Sequence, residues 1–222
     1  MPLQTIEHQT GEQPTASLIV LHGLGADGND FVPLCQELQL DPIGSVRFVF
    51  PHAPMQPVTI NNGMVMRSWY DILSLGPNVD RREDEAGLRA SQAEIEVLIA
   101  RERSRGVAAS RIVLMGFSQG CAMTLVTGLR HPERLGGLVG LSGYLPLADK
   151  TAAERHPANA DTPLFLAHGL YDPVIPLARA AASRDVLAKL AQPLEWHEYP
   201  MEHSVCPAEL SDLNRWLLRV LA

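Results

Sequence analysis

The chain has 222 residues, 46% hydrophobic and 19% charged, enough to bury a core without a disulfide or metal staple and unlike disordered, collagenous or coiled-coil compositions. A net charge of −7 and 5% aromatic residues argue against a nucleic-acid partner, which needs a cationic face or a stacking platform. No run reaches the ~20 apolar residues of a membrane span, residues 1–13 lack the basic start and apolar core of a secretory signal, and Cys35, Cys121 and Cys206 lack CxxC spacing, so the expectation is a cytoplasmic protein with reduced thiols, no metal and no integral membrane contact.

The predicted elements alternate. Residues 17–22 (SLIVLH) read as a strand, 29–40 as a helix carrying Phe31, Leu34, Cys35 and Leu38 at helical spacing, and 46–51 (VRFVFP) as the second strand. Residues 53–84 follow with little pattern, holding Pro54, Pro57, Pro77, Asn61-Asn62-Gly63 and Trp69-Tyr70. Segments of that kind in compact domains are functional loops, with a short extra strand at 64–69 as the plainer reading. Residues 86–103 form a helix with Leu88, Ile95, Val97, Leu98 and Ile99 on its apolar side; 111–116 (RIVLMG) is a strand and 118–130 a helix; strands 137–141 and 163–168, helix 176–190, strand 194–199 and helix 207–221 complete the set. The first five strands are nearly continuous apolar runs, as burial on both faces requires. The alternation predicts one α/β domain over 1–222, a mostly parallel sheet with helices on both faces.

Gly116-Phe117-Ser118-Gln119-Gly120 falls between a predicted strand and helix. This is the pattern of a nucleophile elbow, in which a sharp turn lifts a serine above the C-terminal sheet edge; the plainer reading is a helix N-cap serine. The acid and base should follow in that order, each in the loop after a later strand. Asp172 lies just beyond 163–168, whereas Asp161 precedes that strand and Asp185 falls within a helix. Asp172-Pro173 could otherwise be turn punctuation. His203 lies beyond 194–199; His197 is inside that strand, His22, His52 and His168 precede the acid, and His8, His131 and His156 sit in polar loops. His203 would take the proton of Ser118 and return it to the leaving group, with Asp172 holding the imidazole. The oxyanion would be met by the backbone N–H groups of Gln119 and of Leu24, in the early His22-Gly23-Leu24-Gly25 loop.

That loop also satisfies G-x-G-x-x-G over Gly23–Gly28, which as a dinucleotide site would make the chain an oxidoreductase. The ribose-binding acid is missing, because the next strand ends Phe50-Pro51-His52. His197, Glu198, Glu202 and His203 lack metal-ligand spacing.

Leu21 to Gly28, Pro51-His52-Ala53-Pro54, Arg67 to Asp71, Gly116 to Gly120, Leu141 to Pro146, His168 to Pro173, and Met201 with His203 together resemble the α/β-hydrolase family of small bacterial carboxylesterases and phospholipase-carboxylesterases, related to acyl-protein thioesterases and lysophospholipases. The resemblance spans nearly the whole chain. It implies Ser118, Asp172 and His203 as the triad, Leu24 and Gln119 as oxyanion donors, and no cofactor. It also implies an acyl pocket shaped by 64–77, with Met66, Trp69, Leu73, Leu145 and Tyr171 as lining candidates. The implied activity is a serine carboxylesterase acting through an acyl-enzyme on Ser118, the alternatives being an acyl-protein thioesterase or lysophospholipase on the same site, or a non-catalytic relative. Substrates would be small-molecule or lipid esters or an acylated protein, and a homodimer is allowed. A chain this short leaves no room for a large cap, so a shallow, open site is expected.

Overall fold

The apolar runs pair edge to edge into one sheet. The computed structural model, which describes residues 2–74 and 82–222, has strands β1 (Thr5–Gln9), β2 (Ala16–Leu21), β3 (Val46–Pro51), β4 (Met55–Val58), β5 (Met64–Arg67), β6 (Ile112–Phe117), β7 (Gly137–Leu141), β8 (Leu164–Gly169) and β9 (Leu194–Tyr199). Seven of them form a sheet in the order β1-β3-β2-β6-β7-β8-β9, parallel throughout except where β1 runs against β3. β4 and β5 form a separate antiparallel hairpin.

Every residue of β2, β3, β7 and β8 is buried, so these strands need apolar side chains on both faces. Successive residues feed two cores. Ile19, Leu21, Leu114 and Leu166 pack with α2 (Glu85–Ser104), α3 (Gln119–Arg130) and α5 (Leu177–Lys189). Leu18, Val20, Val113, Met115 and Phe165 pack with α1 (Leu34–Glu37) and α6 (Pro207–Val220). The sheet therefore has helices on both faces, the α/β-hydrolase arrangement. Among the described residues no helix is long and apolar enough to cross a membrane.

Several expectations fail locally. β1 reads TIEHQ, a half-exposed edge strand with no apolar run to announce it. The helix expected over 29–40 is a 3-10 turn at Gly28–Phe31 followed by the single turn of α1; Pro33 between them lacks the N–H that would continue the ladder, although Val32 and Pro33 both keep helical backbone angles. Val97 is 51% exposed, because two residues beyond Ile95 a helix has turned to its opposite side. α4 (Ala148–Glu154) forms without an apolar periodicity to announce it. Within 53–84 the chain builds the β4–β5 hairpin, with Asn62 and Gly63 both at positive φ in its turn. Pro77, and with it the end of the expected pocket segment 64–77, lies outside the described residues.

The parallel strands all point the same way. Their C-terminal ends at β2, β6, β8 and β9 deliver four loops to one edge: 22–25, 117–119, 170–173 and 200–204.

Candidate active site

β6 leads directly into α3, and Ser118 is the single residue between them, at φ 57° and ψ −115°. Its N–H donates to the Leu141 carbonyl at 2.9 Å. The tight crossing depends on glycine at two places. A Cβ on Gly120 would strike the Leu21 carbonyl oxygen, and one on Gly116 would strike the Gly120 backbone.

The loops after β8 and β9 bring two further groups to this serine. His203 Nε2 lies 3.0 Å from Ser118 Oγ, and His203 Nδ1 lies 2.7 Å from Asp172 Oδ2. The carboxylate accepts but cannot donate, so Nδ1 carries the proton and Nε2 presents its lone pair to the serine hydroxyl. Asp172 Oδ1 accepts the backbone N–H groups of Val174 and Ile175, each at 2.8 Å. The acid side chain is fully buried while that of His203 is 16% exposed, and the Phe117 ring packs against the imidazole at 4.7 Å between centroids. The competing groups lie elsewhere: Asp185 pairs with Arg184 on the surface of α5, and His197 stacks on Phe165 within β9.

The 22–25 loop faces the same point. His22 Nε2 accepts the Ala53 N–H at 3.0 Å, and its Nδ1–H donates to Gly23 O at 2.7 Å. Burial pushes this imidazole below its ordinary pKa, which keeps it neutral. Trp69 Nε1–H donates to His22 O at 2.9 Å, and Gly25 N–H to Arg67 O at 2.9 Å. So held, Leu24 stands on the cavity wall beside Ser118 and Gln119. Among the described residues neither the Leu24 nor the Gln119 backbone N–H has a hydrogen-bond partner.

The Gln119 side chain does work that sequence reasoning missed. Its Oε1 accepts the Trp69 N–H at 3.0 Å, and its Nε2 donates to Tyr70 O at 2.8 Å. It therefore ties the 68–70 segment to the Ser118 turn. The signal available in the sequence was the joint presence of Ser68-Trp69-Tyr70 and glutamine directly after the serine.

A cavity of ≈ 290 Å³ opens from Ser118 and His203, with Leu24, Ile60, Tyr70, Ile72, Tyr144 and Val174 on its walls. None of the five expected lining residues is among its described wall residues. Trp69 is buried behind it, its ring 5.3 Å from that of His22. Met66 is half-buried with Sδ 3.3 Å from Asn61 Nδ2. Leu145 sits in the core, its N–H donating to Ser183 Oγ. Tyr171 is 66% exposed. Leu73 lines a neighbouring cavity of ≈ 230 Å³ that shares Tyr70, Ile72, Tyr144 and Val174 with the first. On the far wall the Arg179 guanidinium stacks over the Tyr144 ring at 3.4 Å, and the Tyr70 and Tyr144 hydroxyls lie 2.9 Å apart.

The glycine-rich loop has a different use from dinucleotide binding. The Gly28 N–H donates to His52 Nδ1 at 3.1 Å, and the loop enters a four-residue 3-10 turn instead of the long helix whose N-terminus would hold a pyrophosphate.

A parallel sheet that presents a serine on a strand-to-helix turn, within reach of a histidine and with free amide donors beside it, defines a serine hydrolase of the α/β-hydrolase fold. The family model described as phospholipase/carboxylesterase matches residues 4–221, and the chain belongs to that family. It is 44% identical over 207 residues to an acyl-protein thioesterase 1 of Yarrowia lipolytica, covering 91% of each chain. It is 42% identical over 230 residues to that of Mycosarcoma maydis, covering 97% of this chain and 95% of the relative. Among solved structures, Arabidopsis thaliana SOBER1 superimposes with a TM-score of 0.88 at 30% identity, over 93% of this chain and 99% of that one. Zea mays acyl-protein thioesterase 2 gives 0.87 at 27% identity over 99% of each.

Proposed function

We propose that this chain hydrolyses acyl thioesters, and the corresponding oxygen esters, through an acyl-enzyme on Ser118. The observation that carries the reading is the hydrogen-bonded row Ser118–His203–Asp172 at the mouth of an apolar cavity. His203 Nε2 takes the hydroxyl proton as Oγ attacks the acyl carbonyl carbon. The resulting oxyanion is met by the N–H groups of Leu24 and Gln119, a pair in which each donor is worth about 10²–10³ in turnover. His203 then returns the proton to the departing thiol or alcohol. Water repeats the sequence on the acyl-enzyme, with Asp172 holding the imidazole and stabilising its charged form throughout.

The thioester reading ranks ahead of a general carboxylesterase because the relatives at 36–44% identity carry the name acyl-protein thioesterase. An acylated protein is then the natural substrate. The test is turnover of matched thioesters and esters of one acyl chain, together with fluorophosphonate labelling. Label on the peptide holding Ser118 and faster thioester turnover are expected. Label elsewhere overturns the nucleophile, and esters outpacing thioesters return the reading to a carboxylesterase.

A further inference from the structure

His168 is the penultimate residue of β8, four residues before Asp172, and its side chain is completely buried. The reaction as described makes no use of it. Its Nε2 lies 2.8 Å from Ile175 O and 3.4 Å from Asp172 Oδ2. Both neighbours are acceptors, so Nε2 carries the ring proton. Nδ1 has no partner among the described residues. Burial holds this imidazole below its ordinary pKa, so the ring is neutral. The titratable groups that face it are Asp172 and His203 on the site side, Glu198 paired opposite it on β9, and Cys121 and Tyr144 around a small void beside the ring.

The turn at 172–175 is consequently held from both sides. Asp172 Oδ1 accepts the N–H groups of Val174 and Ile175. Ile175 O in turn accepts the Nε2–H of His168. The same N–H dipole stands on the Oδ2 side, the oxygen that receives His203 Nδ1–H. Ile175 also lines the cavity beside Ser118. One buried imidazole thus fixes the acid, its turn and part of the substrate wall.

We propose that His168 is a positioning residue of the hydrolytic site: its Nε2–H locks the Asp172 turn through Ile175 O and tempers the pull of Asp172 Oδ2 on His203. This rests on the proposed roles of Ser118, Asp172 and His203. It also requires His168 to stay neutral, since a second cation would oppose the imidazolium that forms on His203. Without the N–H, the turn loosens and Asp172 holds the His203 proton more strongly.

The test compares H168F, H168Q and H168N, with rates expressed per site titrated by fluorophosphonate. Gln carries an amide N–H to about the reach of Nε2, Phe keeps a ring without a donor, and Asn carries the same amide too short to reach. For H168F, kcat is expected to fall roughly ten- to a hundredfold, the scale of a small misplacement at a reacting centre. KM should stay within about twofold, and the acidic limb of the kcat/KM profile should move to higher pH, since kcat/KM reports the free enzyme's base. H168Q should recover most of the rate and the original limb. If H168F does not fold, H168N takes its place. An unmoved acidic limb with wild-type kcat per titrated site, or H168Q no better than H168N, overturns the proposal. Wild-type protein that turns over neither esters nor thioesters would fail the underlying reading instead.

Discussion

Gln119 accepts the backbone N–H of Trp69 at 3.0 Å, so the residue that follows Ser118 also anchors the segment behind the 22–25 loop. Through Trp69 Nε1–H on His22 O, a side chain on α3 fixes where Leu24 stands. Gln119→Leu leaves the buried Trp69 N–H without an acceptor, while Tyr70 O keeps the Ser68 hydroxyl as a donor at 2.6 Å. The expected loss is about 2 kcal/mol, or roughly 4–8 °C in Tm, with kcat reduced although the Gln119 backbone N–H is retained. Thermal unfolding and initial rates on the purified variant check both.

Ser118 holds φ 57°, a backbone region that costs a residue with a Cβ about 1–3 kcal/mol. Ser118→Gly should therefore raise Tm by roughly 2–12 °C while abolishing turnover. Ser118→Ala keeps the strain, so it should lose about 10⁴–10⁶ in kcat with Tm nearly unchanged. A glycine variant no more stable than the alanine variant would mean that the turn is not strained.

β2, β6 and β8, which lead to Leu24, Ser118 and Asp172, were legible because burial on both faces leaves an apolar run, whereas β9, which leads to His203, reads LEWHEY and is only partly buried. Chain order then singled out Ser118, Asp172 and His203, each just past a strand, and a parallel sheet delivers all such positions to one edge. The cavity wall was not legible, and the misses have a pattern. Tyr70, Ile72 and Tyr144 line it, each one residue away from the expected Trp69, Leu73 and Leu145. Loop backbone decides which of two adjacent side chains faces inward, and neither composition nor spacing encodes that choice. β1 was missed for a related reason: an exposed edge strand has no core to demand apolar residues.

Glu209, in the first turn of α6, is completely buried, and neither carboxyl oxygen has a hydrogen-bond partner among the described residues. Burial pushes its carboxyl up to about 8, the nearby Cys206 backbone N–H offsetting part of that, from an ordinary 4.5. Between those values the folded chain keeps a proton that the unfolded chain has released, so stability falls as pH rises through the window and stays low above it. Glu209→Gln removes the liability. Its Tm should match wild type near pH 4 and exceed it progressively toward pH 8, where the difference reaches at most roughly 4 kcal/mol. A constant offset between the two proteins across that range would exclude the titration of Glu209 as the cause.

The apolar wall formed by Leu24, Ile60, Ile72 and Val174 predicts how rate depends on acyl length. Each methylene transferred from water into the cavity is worth about 0.8 kcal/mol, so kcat/KM should rise roughly fourfold per carbon where that energy is realised in the transition state. The rise should stop once the cavity is filled. Ile72→Trp places a larger ring in the wall shared by both cavities and should bring the plateau to shorter chains while leaving the initial slope intact. Thioesters from butyryl to palmitoyl on one small thiol, each assayed below its micelle-forming concentration, give the profile directly. A flat profile for wild type would mean that the acyl chain lies outside this cavity. A plateau unmoved by the tryptophan would place the end of the chain away from Ile72.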